Sequence, residues 1–342
     1  MFVFASCNKT EGTEDTTNAP GNPESASLRF GLGIVSEYGD VRDADGDSDD
    51  KSSIEITAVS VLLDTEGRIA DVAIDVLDAS AEWTSEGKAV ASTEVKTKYE
   101  TGADYNMAVY GKKHDGSDGK VLEWFEQIDA FAATAKGKTV SEIKTFMTED
   151  TYTTGDLAAA GCTISVGNIM KALDKAVADA VESKAASDDA LNLAFATSVT
   201  NTDATEEKDG SVAVDATIVA AVVNADGKVV VAKTDVASAS VTFNLQGEST
   251  TDVAAELKTK VEAGDGYNMA VYGKKHDGSD GKVLEWYVQA AAFDSFLEGK
   301  TASDFSVLAD AEGYGTGDLA TAGCTINISN MIKAAEAAAT VD

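Results

Sequence analysis

The twenty residues YNMAVYGKKHDGSDGKVLEW occur twice in the chain, at Tyr105–Trp124 and, letter for letter, at Tyr267–Trp286, 162 positions further on. Whatever structure the first copy can take is open to the second, so the fold is constrained to one that can be built twice. The register of 162 continues without a gap beyond Thr163 and Thr325. Upstream it shifts by two, so that LLDTEGRIADVAIDV (Leu62–Val76) aligns with VVNADGKVVVAKTDV (Val222–Val236). Further back, LRFGLGIVSEY (Leu28–Tyr38) aligns loosely with LNLAFATSVTN (Leu191–Asn201). The period far exceeds that of short-repeat solenoids and reads as a duplicated domain. The expected division is 28–183 and 191–342, with 184–190 as linker and 1–27 as a leading segment. At 342 residues each copy has enough chain to bury its own core.

Each copy opens with strand signals and closes with helix signals. Ala70, Val72, Ile74 and Val76 alternate with Asp71, Ala73 and Asp75, which predicts a strand with one buried and one wetter face. Gly67 and Gly227 end turns that need a positive φ. Val121, Trp124, Ile128, Phe131 and Ala135 form a helical stripe. Thr139-Val140-Ser141-Glu142 is a capping box that opens a second helix, and a third begins near Asn168. Strands first and helices later predict an α+β fold: two tandem homologous domains, each an antiparallel sheet packed with about three helices.

Charge excludes one large class of function. Asp and Glu number 59 against 27 Lys and Arg, a net of −32. Such a chain repels nucleic-acid phosphates, so nucleic acid is not an expected partner. Near the amino terminus, Phe4-Ala5-Ser6-Cys7 resembles the end of a bacterial lipoprotein signal, in which the Cys is lipidated. Residues 8–27 hold both prolines of the chain and almost nothing apolar, a composition suited to a flexible tether behind an anchor. The expectation is a protein held on a membrane surface through Cys7 without crossing it.

Several motifs carry less than they first suggest. Gly31-Leu32-Gly33 lacks the last glycine of a dinucleotide loop and is read as strand. Asp43–Asp49 has the acids of a calcium loop, but Ile54 stands where the chelating Glu belongs, so a solvated hairpin loop is expected. His114 and His276 lack companions at zinc spacing, and no metal site is expected. Two repeated spots are stronger. Gly111-Lys112-Lys113-His114 and its copy with Lys274 and Lys275 are dense positive spots in an acidic chain. Beside an aromatic helix start at Trp124 or Trp286, such a loop suits an anionic planar ligand, or is simply charged surface. The second is GDLAAAGCTISVGN (Gly155–Asn168) and GDLATAGCTINISN (Gly317–Asn330), where small residues either admit a close neighbour or serve tight strand–helix packing.

Gly161-Cys162-Thr163 and Gly323-Cys324-Thr325 resemble the end of the flavinylation signature Asp-x-x-Ser/Thr-Gly-Ala-Thr, whose Thr hydroxyl carries FMN through a phosphoester. Asp156 and Asp318 are the upstream acids. Together with Glu-Trp-x-x-Gln and Gly-Lys-Thr (Gly137–Thr139, Gly299–Thr301), the pattern resembles the tandem-repeat, FMN-bearing surface lipoproteins of Gram-positive bacteria, across most of both repeats. The resemblance implies one covalent FMN per repeat, on Thr163 and Thr325. It implies flavin surroundings that include Trp124, Trp286, Lys112 and Lys274, a flavin transferase as modifying partner, and flavin-based extracellular electron transfer at the cell surface. An electron carrier rather than an enzyme is implied, its donors and acceptors lying in the membrane or outside the cell. Cys162 and Cys324 stand where the signature has Ala, and Ala160 and Ala322 where it has Ser or Thr. The rival reading is a non-redox surface lipoprotein, solute-binding or adhesive, built of duplicated modules.

Overall fold

The computed structural model describes residues 27–44, 51–90, 95–111, 121–273 and 283–340. Cys7, His114, His276 and the repeated lysines 112, 113, 274 and 275 lie outside the described residues, as does most of the Asp43–Asp49 loop.

The chain forms strands β1 (Arg29–Tyr38), β2 (Lys51–Leu63) and β3 (Ile69–Glu82), then short helices α1 (Lys98–Thr101) and α2 (Met107–Tyr110). Helices α3 (Trp124–Ala135), α4 (Val140–Lys144), α5 (Gly155–Ala159) and α6 (Gly167–Asp179) follow, and β4 (Val181–Glu182) ends the first half. The second half follows the same order with β5 (Ala190–Thr202), β6 (Gly210–Val223), β7 (Val229–Phe243), α7 (Lys260–Ala263), α8 (Met269–Tyr272), α9 (Trp286–Leu297), α10 (Gly317–Thr321) and α11 (Ser329–Ala338), except that 3-10 turns at Ala302–Asp304 and Ser306–Leu308 replace α4 and, among the described residues, no strand matches β4. The class is α+β, with two antiparallel sheets ordered β3-β2-β1-β4 and β5-β6-β7.

Strand β2 shows how the layers arise. Its odd-numbered Val59, Val61 and Leu63 face a core shared with Trp124, Ile128, Phe131 and Leu173 of the helices. Its even-numbered Ile54, Ile56 and Ala58 belong to a different core, completed by Val212, Ile218 and Phe243 of the second sheet. A period of two therefore sends alternate side chains into two interiors. Each sheet has helices on one face and the other sheet on the other, giving four layers. The Trp83 and Phe243 rings stack across the halves at 4.8 Å, and Trp83 Nε1–H donates to the Gly247 carbonyl at 2.8 Å. Burying such a side chain contributes about 1.5–3 kcal/mol. The core between the two sheets thus ties the halves together.

Gly67 and Gly227 have φ of +77° and +73°, as the turns demand, and Gly31-Leu32-Gly33 lies in β1. The glycines of β1 have a packing cause: a Cβ on Gly31 would stand 2.0 Å from the Ala176 carbonyl oxygen, and one on Gly33 2.1 Å from that of Ala172. Helix α6 lies directly on the strand. Two sequence expectations need correction. Ala70 is exposed, because a bulge pairs Leu62 with Asp71 and Leu63 with Ile69, leaving Ala70 as the extra residue. Asp75 is buried, because its carboxylate receives the Val76 N–H at 2.7 Å and the Tyr99 N–H at 3.2 Å. The strand registers also place Phe30 opposite Leu62 and Leu191 opposite Val222, so Phe30, not Leu28, corresponds to Leu191.

Candidate functional site

Helix α3 begins at Trp124 because Glu123 and Glu126 form a reciprocal cap, and Glu123 Oε2 also accepts the Met107 N–H at 2.9 Å. Three residues along the same face, Gln127 is fully buried. Its Oε1 accepts the Thr163 backbone N–H at 2.8 Å and the Thr163 hydroxyl at 3.2 Å. Its amide nitrogen donates to the Leu122 carbonyl at 2.9 Å. The second half repeats this: Gln289 Oε1 accepts from Thr325 N–H at 2.8 Å and Oγ1 at 3.3 Å, and Nε2 donates to Leu284 O at 2.8 Å. One amide thus joins the segment before the helix to the threonine segment, and both threonines are only 2% exposed. A buried glutamine needs all these partners, and here it has them.

The residues before each threonine are shaped by the backbone. Gly161 and Gly323 hold φ of +108° and +106°, and a Cβ there would stand 2.7 and 2.5 Å from Cδ1 of Leu122 and Leu284. Cys162 and Cys324 are free and fully buried; burial pushes their thiols up to about 11 and about 12. Both are therefore protonated, packed side chains and not nucleophiles. Asp156 and Asp318 are exposed in the first turns of α5 and α10, and their side chains are not among the partners of the threonines. The structure brings together Trp124, Gly161, Cys162 and Thr163 around α3, but leaves Asp156 on the outside.

No family model, curated protein or solved structure matches this chain.

A cavity of about 380 Å³ opens beside Trp124, with Lys98, Glu55, Ser165, Asn168 and Lys171 in its wall. Ser165 lies two residues from Thr163, and Trp124 one helical turn from Gln127, but neither Thr163 nor Gln127 is in the wall. Lys98 Nζ pairs with Glu55 at 3.1 Å and Asp78 at 3.8 Å and lies 5.6 Å from the Tyr105 ring centre. Burial pulls the Lys98 ammonium down, but Glu55, Tyr105 and Asp78 outweigh it and hold its pKa above the usual lysine value. In the second half Lys260 stands over the Tyr267 and Trp286 rings at 5.3 and 5.4 Å. The cavity wall thus combines Trp124 and two ammonium groups with two carboxylates, Glu37 and Glu55, while the Thr163 hydroxyl, bonded to Gln127, lies outside it. Gln127 and Gln289 entered the sequence reading only as the last residue of Glu-Trp-x-x-Gln, with no site role, and Lys98 and Lys260 did not enter it. The available signal was a polar residue, Gln, fixed on the apolar helix stripe in both copies.

Proposed function

We propose that the chain is a lipid-anchored, extracellular electron-transfer protein made of two tandem homologous domains, each carrying one FMN esterified to a threonine, Thr163 or Thr325. The observation that carries this reading is the twinned Thr–Gln bond, one helical turn from a tryptophan and repeated at a spacing of 162 residues. When bound, FMN supplies reversible electron uptake and release. The protein's part is placement. Esterification removes the hydroxyl hydrogen and with it the bond from Thr163 Oγ1 to Gln127. The bond from the Thr163 N–H at 2.8 Å survives, so the backbone stays fixed. Trp124 and Trp286, both in the core, would bound the flavin from the protein side, Lys98 and Lys260 would supply positive charge, and Gly161 and Gly323 leave the turn free of a side chain. Lys112 and Lys274, which follow α2 and α8 in sequence, would add cations at the phosphate or ring. Attachment to the cell surface would come from lipidation of Cys7.

Intact-protein mass and in-gel flavin fluorescence test the reading, with the chain produced alongside a flavin transferase. Wild type is expected to carry two FMN, Thr163→Ala and Thr325→Ala one each, and the double variant none. Cys162→Ala and Cys324→Ala are expected to keep both. Unmodified wild-type mass, or flavin that follows the cysteines, overturns the assignment in favour of a non-redox surface protein. Cys7→Ser is expected to move the native protein from the detergent phase to the aqueous phase.

A further inference from the structure

Two further cavities lie between the halves, at matching places. One, of about 390 Å³, is walled by β3 and α3 of the first half and by the start of β5. The other, of about 420 Å³, is walled by β7 and α9 of the second half and by Leu32 of β1. The repeat register pairs Leu32 with Leu193, Asp75 with Asp235 and Ile128 with Ala290, so each cavity is the counterpart of the other. Their chemistry differs at one pair of positions. Ile74 and Ala132 in the first wall are replaced by Thr234 and Asp294 in the second. Asp294 Oδ1 accepts the Thr234 hydroxyl at 2.5 Å, and Oδ2 accepts the Thr234 N–H at 3.1 Å. The first half shows that an apolar pair fills these positions, so the fold does not require the carboxyl. Burial opposes its ionisation and pushes it up to about 7. A carboxyl that burdens the fold, in the wall of a cavity of ligand size, is a candidate binding group.

The charges of that wall are four carboxylates, Asp179, Asp235, Asp294 and Glu298, against one ammonium, Lys233. Lys233 is taken by Asp179 at 2.5 Å, and Glu298 pairs with Lys184 at 2.9 Å. Asp235 and Asp294 bond instead to N–H and hydroxyl donors. An ionised carboxyl has about four acceptor sites, and the bonds to Thr234 occupy one on each oxygen of Asp294. The remainder of the wall is largely apolar, with Leu32, Val231, Val261, Ala290 and the Tyr287 ring. We propose that this cavity binds a small organic ammonium ion, its N–H groups donating to Asp294 and its apolar body lying against Leu32, Val261 and Tyr287. An anion would meet four carboxylates there, and a neutral ligand would leave the Asp294 charge unpaired as it displaced water. Leu32 and Asp179 come from the first half, so the site is complete only in the tandem chain. This gives the duplication a use that a single copy would lack. Neither Thr163 nor Thr325 is in the wall, and the inference does not depend on what those threonines carry.

The test is isothermal titration calorimetry of the full-length chain near pH 8, in about 0.15 M salt to screen the acidic surface. Phenethylammonium is the probe, with phenethyl alcohol and phenylacetate as its neutral and anionic counterparts. The ammonium is expected to bind at one site per chain, the alcohol about tenfold more weakly or worse, and phenylacetate not at all. Asp294→Asn is expected to weaken the ammonium about tenfold or more, while Asp129→Asn, at the other cavity, leaves it unchanged. Thr234→Ile combined with Asp294→Ala installs the apolar pair of the first half. That protein is expected to have a higher urea midpoint than wild type and to lose the ammonium, which separates lost binding from lost folding. Absence of ammonium binding at millimolar concentration overturns the inference. So does equal affinity for the alcohol, or ammonium binding that persists in the double variant, the mark of adsorption to the acidic surface. None of these outcomes bears on FMN attachment, which protein mass reads separately.

Discussion

Gln127 Oε1 accepts two hydrogen bonds from one residue, the backbone N–H and the hydroxyl of Thr163, and Gln289 does the same for Thr325. Each amide closes its own circuit through the Leu122 or Leu284 carbonyl. Replacing Gln127 by Leu keeps the volume but leaves a buried N–H and a buried carbonyl without partners. The cost is expected to be about 2–4 kcal/mol per site. Urea denaturation of Gln127→Leu and Gln289→Leu measures it. Losses below about 0.5 kcal/mol would mean that the amide does not hold the threonine segment.

The cysteines next to these threonines are expected to be inert. With thiols pushed up to about 11 and about 12 and no exposed surface, Cys162 and Cys324 should not react with a disulfide reagent at pH 8 while the chain is folded. In denaturant both should react within seconds to minutes. Fast labelling of two thiols in the Cys7→Ser protein under native conditions would show that the Gly161 and Gly323 turns open readily.

How far this was legible from sequence depends on the residue. Periodicity revealed the stripe from Trp124 to Ala135, and the capping box at Thr139 is present with Glu142 in its reciprocal role. Gln127 was visible as the Gln of Glu-Trp-x-x-Gln, but its burial and its bond to Thr163 were not, because a hydrophobic pattern passes over a polar residue. The offset of β1 against β5 was missed for another reason. A slip of two residues leaves every side chain on the same face, so hydropathy fits both alignments equally. The strand ladders decide it, and a helix detail agrees: Gly31 lies against the Ala176 carbonyl, and Asn192 Nδ2 donates to the Ala338 carbonyl at 2.9 Å. Alternation at Ala70–Val76 predicted a strand with one buried and one wetter face. It could not tell that the second face is covered by the other half of the chain.

The glycines of β1 provide a packing test. Gly31→Ala would drive a Cβ to 2.0 Å from a backbone oxygen, and no side-chain rotation relieves that contact. Helix α6 must lift away from the strand. A loss of about 3 kcal/mol or more is expected, against less than 1 for Gly137→Ala in terms of contact, where a Cβ meets nothing within 4 Å and only its φ of +78° is unfavourable. Similar losses for the two variants would mean that conformational strain, not helix docking, dominates at Gly31.

Stability should fall as pH rises through the range 4 to 7. Burial pushes Asp75 and Asp235 up to about 6, against hydrogen bonds that pull the other way, and Asp294 up to about 7. A carboxyl whose folded pKa lies above its unfolded value near 3.8 binds its proton more tightly in the native state. Its contribution is therefore complete below about pH 4 and is lost as pH passes through 6 to 7. Asp294 is the sharpest case. The residue is half-buried, with Oδ1 accepting the Thr234 hydroxyl at 2.5 Å and Oδ2 the Thr234 N–H at 3.1 Å. In the first half the matching positions are Ala132 and Ile74, so this group is peculiar to the second half. Asn at 294 keeps one acceptor for the N–H and presents an amide to the Thr234 oxygen, but cannot ionise. Asp294→Asn is expected to match wild type within about 1 kcal/mol at pH 4.5 and to exceed it by about 2 kcal/mol or more at pH 8. Urea denaturation at the two pH values measures both. Parallel pH profiles for the two proteins would show that Asp294 is ionised in the native state throughout and that its bonds to Thr234 outweigh its burial.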